Sequence, residues 1–276
     1  MKTVLRLGFA VSAVCWIAVA HSDEKSDEEF RAKQLVRSRA IAESFQIDTK
    51  AGTTSPTAKL SSKPLLRYAD ATRQQDESIL WLWTDKERPI ALMAIEFYPK
   101  PPRGPRWLFE IVSLSESKIG VTRGVTVKWQ AKQPGFARQE IPNAPDPSDR
   151  PALRLTQAKQ LRDRFKAHEK TPVEGRIELR PLTNPIYRYK DDETGILDGA
   201  IFAFANGTNP EVLLLLEARQ DAKSKSAAWH YGFAQMTGGE VYASLDDRQV
   251  WSQGEADPPA SRDSYVNGWL ADDVNQ

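Results

Sequence analysis

Cysteine is almost absent from this chain, and the one residue, Cys15, lies in an N-terminal apolar run from Leu7 to Val19. Two basic residues precede the run, and it closes on the A-x-A tripeptide Ala18-Val19-Ala20, which is the pattern of a cleaved secretory signal. We therefore expect a secreted or periplasmic protein that begins at His21 and contains no cysteine. Disulfides, thiolate metal sites and cysteine nucleophiles are then excluded together.

An excess of charge of either sign is also lacking. When Lys2 and Arg6 leave with the signal, 36 Lys and Arg residues stand against 37 Asp and Glu residues. This balance gives no electrostatic reason to expect nucleic acid or an anionic membrane as a partner. No later stretch approaches the roughly 18 apolar residues that a transmembrane helix needs, so we expect no membrane anchor.

Familiar motifs of catalysis and cofactor binding are missing as well. The sequence contains no G-x-S-x-G, H-E-x-x-H or G-x-x-x-x-G-K-[ST] pattern and no EF-hand loop. Asp191-Asp192, Asp246-Asp247 and Asn206-Gly207-Thr208 indicate turns rather than calcium or phosphate loops. A terminal His21 could chelate copper, but here it opens an acidic segment, so we expect no metal and no cofactor.

What the chain does contain is a long internal repeat. Residues 64–96 align without a gap on residues 185–217 at an offset of 121, with seven identical positions. One inserted residue then moves the offset to 122, which places Trp107 on Trp229 and Trp129 on Trp251. A period this long, present only twice, indicates a duplicated half-domain rather than a solenoid array.

Each repeat has the pattern of about five short strands, rich in aromatic and β-branched residues and separated by turn residues. The predicted strands are 65–68, 79–84, 90–98, 107–114 and 125–129, then 186–189, 200–205, 212–218, 229–236 and 241–245, the last continuing towards Trp251. Short sequential strands favour antiparallel pairing. We predict a mainly β fold of two tandem antiparallel meanders, an internal duplication, that form a sandwich or a barrel with one linking helix.

Two of these strands, around Leu92 to Ile95 and Val212 to Leu216, are apolar on both faces and are expected at the sheet centres. The predicted core consists of large apolar residues at matching repeat positions: Trp81, Trp83, Leu92, Ile95, Phe109 and Ile111, with Phe202, Phe204, Leu213, Leu216, Tyr231 and Phe233.

A helix is predicted from Ala152 to about His168, where apolar residues recur at helical spacing and Arg154 and Arg162 would remain solvated. His168 would then sit near the helix C-terminus, where a cation is favourable. A second possible helix runs from about Phe30 to Phe45. The predicted organisation is signal 1–20, N-terminal arm and linker 21–62, repeat one 63–142, linker and helix 143–175, repeat two 176–252 and C-terminal tail 253–276.

The segments PLLRYAD and DGAIFAFANGTNPEVLLLLEA, with the W-x21-W spacing that follows, resemble a family of uncharacterised exported bacterial proteins over roughly residues 60–252. The resemblance implies export and duplication, and it carries no activity to this chain.

The repeated Arg-Tyr-x-Asp segments and the repeated glutamates are the sharpest polar pattern. Two carboxylates from each repeat could act as general acid and base, which makes Glu96, Glu217, Asp70 and Asp191 candidate catalytic residues. A structural alternative fits better, because an active site seldom needs duplicate residues. In it, Arg67 pairs with Glu96, and Arg188 pairs with Glu217, each pair fixing the sheet register.

His230 departs from the repeat, because Leu108 stands at the matching position, and it is a further candidate catalytic residue. The tryptophans could form the core or a platform for sugars, and the candidate ligand-binding residues are Trp229, Trp251, Trp107 and Trp129. The leading hypothesis is an exported non-enzymatic binding or structural protein whose partner is a small molecule, a glycan or a protein. The alternative is a carboxylate-dependent hydrolase that acts on an extracellular polymer.

Overall fold

The computed structural model describes residues 12–49, 58–70, 73–100, 104–255 and 263–270. The chain divides into two compact units, Met1–Ala40 and Ile41–Gln276. Helix α1 spans Ser12–Glu43 and so begins well before the helix expected from the sequence. Residues 1–11 of the predicted signal lie outside the described residues.

The described residues of the first half form eight strands. They are β1 (Gln46–Asp48), β2 (Lys59–Leu60), β3 (Leu66–Asp70), β4 (Gln75–Asp85), β5 (Arg88–Tyr98), β6 (Arg106–Ser113), β7 (Gly120–Arg123) and β8 (Val127–Gln130). A short strand, β9 (Gln139–Glu140), follows this half and leads to helix α2 (Pro151–Arg162).

The second half contains the matching strands after α2. They are β10 (Phe165–Thr171), β11 (Gly175–Pro181), β12 (Tyr187–Asp191), β13 (Ile196–Asn206), β14 (Asn209–Gln220), β15 (Ala227–Gln235), β16 (Glu240–Leu245) and β17 (Arg248–Gln253). The last described strand is β18 (Tyr265–Trp269).

These strands form three antiparallel sheets. The first has the order β1-β7-β8, and the second the order β18-β6-β5-β4-β2 with β3 also on β4. The third has the order β17-β16-β10-β11-β13-β14-β15-β9 with β12 also on β13. The predicted fold class is therefore confirmed, since the protein is mainly β with curled antiparallel sheets that include a half-barrel.

The strand registers of the two halves correspond. Ser78 faces Glu96 between β4 and β5, and Gly199 faces Glu217 between β13 and β14, at the offset of 121 seen in the sequence. Glu96 then faces Leu108 on β6, while Glu217 faces His230 on β15, at the offset of 122. The residues that the sequence aligned thus lie at equivalent sheet positions.

The closing strands of the two halves are exchanged. β9 follows the first half but pairs with β15 of the second, whereas β18 follows the second half and pairs with β6 of the first. The ends match as well, because Ile141 donates its N–H to the Trp229 carbonyl at 2.8 Å and Leu270 donates to the Trp107 carbonyl at 2.9 Å. Each half therefore completes the sheet of the other.

Apolar side chains fill both faces of the central strands. On one face, Leu80, Leu82 and Leu92 of the first half share a buried cluster with Leu213 and Leu215 of the second. On the other face, residues of β13 to β15 pack with α2 and with β10, β11 and β16. All twelve predicted core residues are at most 5% exposed, so the predicted core and the two-sided burial of β5 and β14 are confirmed.

The linking helix is shorter than predicted, because α2 ends at Arg162 and a strand begins at Phe165. The apolar stripe of the helix reaches Phe165, but the next residues alternate buried and exposed, which is a strand pattern. The prediction for His168 was wrong, since it lies on β10 and stacks on Tyr242 with ring centroids 4.7 Å apart.

Two arginines of this helix are buried rather than solvated. Arg154 lies 3.3 Å from the carboxylate of Asp198, and Arg162 covers the Phe202 ring at 5.7 Å. Long side chains can bury their alkyl stems while satisfying the charged end, which the helical pattern alone did not predict.

Segments expected to be an arm and a tail contribute strands. β1 and β2 come from the predicted N-terminal arm and pair with β7 and β4. β18 comes from the predicted tail. The turn predictions agree with the structure at Asp246-Asp247, where both residues have positive φ between β16 and β17, and at Gly207 between β13 and β14.

Candidate functional site

The repeated glutamates bond to the repeated tyrosines, not to the repeated arginines. Tyr189 donates its hydroxyl to Glu217 at 2.7 Å, and Tyr68 donates to Glu96 at 3.3 Å. Adjacent residues of a strand point to opposite faces, so the arginine and the tyrosine of each Arg-Tyr pair cannot both reach one carboxylate. The prediction that Arg67 pairs with Glu96, and Arg188 with Glu217, was wrong.

The arginines pair with carboxylates on their own face of the sheet. Arg67 lies 2.7 Å from Glu77, and Arg188 lies 2.5 Å from Asp198. These partners are again one repeat offset apart in the sequence. Register-fixing ion pairs therefore do exist in both halves, but they connect β3 with β4 and β12 with β13.

The Tyr189 ring lies directly over Gly199, the residue between Tyr189 and Glu217 in the sheet. A Cβ atom at Gly199 would come within 2.4 Å of the ring, so only glycine leaves room for this path to the carboxylate. We expect Gly199→Ala to lower the free energy of unfolding by about 1–3 kcal/mol, because the ring must shift.

Urea denaturation followed by tryptophan fluorescence would measure this change. Gly238→Ala is the matched control, since a Cβ there meets its nearest atom at 3.8 Å. Equal stability of the two variants would show that the ring packing is unimportant.

Glu96 is bonded by neutral donors, and the charge of Arg73 acts on it as well. Gln75 donates to its carboxylate at 2.7 Å, and the Tyr98 hydroxyl donates at 2.9 Å. On the neighbouring strand, Glu110 accepts a 2.6 Å hydrogen bond from Tyr265 of β18. The exchanged strand β18 therefore contributes to the environment of Glu96 through the bond between Tyr265 and Glu110.

Burial in this environment favours the protonated carboxyl groups. It raises the pKa of Glu96, and it raises the pKa of Glu110 to about 8 with a further contribution from the Glu96 charge. Burial also raises the pKa of Glu211, which lies 2.7 Å from Arg73. Arg73 is 3.6 Å from Glu169 as well, so one guanidinium forms ion pairs with both glutamates.

Glu217 has cationic neighbours instead. Arg219 donates to its carboxylate at 2.8 Å, and Arg138 lies 3.6 Å away. Arg138 also pairs with Glu116. Burial, the Arg219 charge and the Arg88 charge together lower the pKa of Arg138. The two equivalent positions thus differ in chemistry, one being acid-rich and the other rich in arginine.

A cavity of about 670 Å³ opens beside the Glu217 position. Its walls are polar and come from β9, the turn before β13, the end of β14, the hairpin loop 221–226 and the start of β15. The charged and titratable residues of its wall are Arg138, Glu140, Asp192, Glu193, Arg219, Asp221, Lys225 and His230.

His230 is partly buried in this wall, opposite Glu217 on one side and Glu140 on the other. Its Nδ1 lies 3.3 Å from the Ala228 carbonyl oxygen. Burial lowers the pKa of His230, and the Arg138 and Arg219 charges lower it further, so the ring is neutral at pH 7. Of the predicted candidates, the structure brings His230 and Glu217 together.

The other predicted carboxylates act in local structure. Asp70 accepts a hydrogen bond from the Arg73 backbone at 3.2 Å. Asp191 accepts from the Glu193 backbone at 3.0 Å and from the Thr194 hydroxyl at 2.8 Å, which caps a short 3-10 turn. Both carboxylates therefore stabilise the turn that follows their strand.

The candidate tryptophans separate into two pairs. Trp107 and Trp229 are each 2% exposed and belong to the core. Trp129 and Trp251 are partly buried, and Trp251 stacks on Phe233 with ring centroids 5.5 Å apart. Trp251 also lines a second cavity of about 260 Å³. The four rings do not form one platform.

Comparison with known proteins returns no match to a family model, to a curated protein or to a solved structure. Within the described part of the chain, three or more His, Cys, Asp or Glu side chains do not come together in a way that could hold a metal ion. The described helices include none that is both long and apolar enough to cross a membrane.

Two residues of the site were missed from the sequence. Arg219 lies one repeat offset from Tyr98, and Arg138 lies at the position of Asn267 in the exchanged strands. The first could have been found as a departure between the aligned repeats, as His230 was. The second could not, because its equivalence depends on the exchange of β9 and β18.

Proposed function

We propose that this protein is an exported, non-enzymatic binding protein, and that the 670 Å³ cavity beside Glu217 holds its ligand. The volume suits a small molecule, and convergent polar groups are typical of ligand sites. The wall contains two arginines and a neutral histidine, so the ligand is a small polar molecule.

The observation that carries this proposal is the pairing of Glu217. It already has bonds from Tyr189 and Arg219, and it is 4% exposed. A hydrolase carboxylate must reach the substrate or a water molecule. The Glu96 carboxylate likewise accepts hydrogen bonds within the protein, from Gln75 and Tyr98. Scaffold roles for these glutamates favour binding over the alternative of a polymer hydrolase.

Calorimetric titration of the exported protein with a library of small polar metabolites tests the proposal. We expect a ligand whose binding is lost in Ala228→Phe, which places a ring beside His230 inside the cavity. The control is Val173→Phe on an exposed hairpin, where the side chain is 93% exposed. Turnover of a polymer that is lost in Glu217→Gln, in a stably folded protein, would favour the hydrolase instead.

Export is a second part of the proposal, supported by the basic residues, apolar run and A-x-A site of residues 1–20. We expect the secreted or periplasmic form to begin at His21. Mass spectrometry of the protein recovered outside the cytoplasm would measure its N-terminus. Recovery of the intact Met1 form from that fraction would contradict the prediction.

We also attribute the two halves to internal duplication, as in the exported family that the sequence resembles. The corresponding registers and the reciprocal exchange of β9 and β18 support this origin. In this account the Glu96 position retains a structural role, and the Glu217 position acquired arginines and a histidine for binding.

A further inference from the structure

We propose that the ligand of the 670 Å³ cavity carries an oxyanion, a carboxylate or a phosphate, that Arg138 and Arg219 bind. This inference rests on the proposed function and specifies the chemical class of the ligand. The cavity is large enough for a sugar acid or a sugar phosphate.

The equivalent position in the first half is an internal control for what the fold requires. There Tyr98 stands in place of Arg219, Asn267 in place of Arg138 and Leu108 in place of His230. Tyr98 donates to Glu96 at 2.9 Å and Leu108 faces it on β6, whereas Asn267 donates to Tyr265 at 3.1 Å. The arginines are therefore not needed to build the fold, and they occur in the half that has the cavity.

The guanidiniums retain hydrogen-bonding capacity after their contacts within the protein. Arg219 uses Nη1 for Glu217 and Nη2 for the Thr194 carbonyl. Arg138 contacts Glu116 through Nη2, and its buried Nε lies 3.6 Å from Glu217, so Nη1 is the group that remains for a ligand. A guanidinium has five N–H donors, and two donors can bind one oxyanion in parallel.

Three acids of the cavity wall are engaged by other groups. Glu193 pairs with Lys86 at 2.9 Å, and Asp192 lies 3.4 Å from Lys190. Asp221 accepts hydrogen bonds from two backbone amides of its own loop at 2.9 and 2.7 Å. Glu140 stands opposite His230 in the wall, so we expect a neutral or hydrogen-bond-donating group of the ligand at that end.

The test uses matched ligand pairs that differ in the anion alone. Glucuronate and glucose 6-phosphate would each be titrated against glucose, and inorganic phosphate would be titrated alone, using the full exported protein. We expect saturable binding of one or more of the anions, at least tenfold tighter than any binding of glucose, because hydrogen bonds to a charged group are stronger than those to a neutral one. Glucuronate and phosphate distinguish a carboxylate ligand from a phosphate ligand.

Arg219→Tyr is the decisive variant, because Tyr98 shows that tyrosine can bond the glutamate of this row. It should weaken anion binding about tenfold or more, while the exposed Arg176→Tyr should not. Lys225→Gln, on the exposed rim, should weaken binding a few-fold without affecting folding, and it keeps the test valid if Arg219→Tyr folds poorly.

Three results would overturn the inference. In the first, glucose binds as tightly as its anionic counterparts and its binding is lost in Ala228→Phe. The cavity would then still be a binding site, but the proposal that its ligand carries an oxyanion would be refuted. Absence of binding by every anion would refute the oxyanion class. Binding of an anion that survives both Ala228→Phe and Arg219→Tyr would place it elsewhere and refute the assigned residues.

Discussion

Glu217→Ala is expected to lower the free energy of unfolding by about 3–5 kcal/mol, which is the cost of removing one partner from a buried charge pair. The substitution takes away the acceptor of Tyr189 and the ion-pair partner of Arg219. It also leaves Arg138 and Arg219 without the carboxylate that lies between them, at a mostly buried position where burial and the Arg219 charge already lower the pKa of Arg138.

Urea denaturation with a two-state analysis would measure this loss. Glu217→Gln keeps the side-chain size and an acceptor for Tyr189. It therefore separates the cost of losing the charge from the cost of the empty space that Glu217→Ala leaves. Glu178→Ala removes an exposed partner of Arg176 and should change stability by about 0–1 kcal/mol. A Glu217→Ala variant as stable as Glu178→Ala would show that Glu217 has no structural role.

Stability should fall as the pH rises from about 5 to about 8. The pKa of Glu110 is raised to about 8 in the folded protein, and burial raises the pKa values of Glu96 and Glu211 in the same direction. Over this interval the unfolded chain loses these protons while the folded protein keeps them. Proton binding therefore favours the folded state at pH 5, and the advantage disappears through pH 8.

The expected loss is about 2–4 kcal/mol, since one pKa unit corresponds to about 1.4 kcal/mol and Glu110 is only partly buried. Unfolding curves at several pH values would measure it. Glu110→Gln, which remains neutral, should flatten the curve, whereas the exposed Glu178→Gln should leave its slope unchanged. Stability that increases between pH 5 and pH 8 would contradict protonation of this cluster.

The pairing of Tyr189 with Glu217 illustrates how far the sequence can be used. The repeat identified the Arg-Tyr segments and the glutamates as equivalent, and the structure places them at equivalent positions. The choice between arginine and tyrosine as partner required the sheet register. Alternation excludes one of two adjacent residues, but which one depends on how β12, β13 and β14 align.

The helix after the linker shows a second limit. Leu161 and Phe165 fit the helical stripe of α2, and Phe165 also fits the alternation of β10. Phe165 is compatible with both periods, so the boundary is decided by what each segment packs against. The Phe165 ring lies against Tyr231 and Phe233, at 5.1 and 5.7 Å, from the start of a strand.

By itself the sequence determined the mainly β composition, the corresponding registers of the aligned segments, the central strands and the twelve core residues. Each of these follows from local periodicity and from self-similarity, which a single chain displays directly. Only the tertiary structure decided that β9 and β18 exchange between the halves, because strands this short have no pattern of their own. That exchange adds Arg138 to the arginine on β14 near Glu217, and it adds Tyr265 as the hydrogen-bond donor to Glu110 near Glu96.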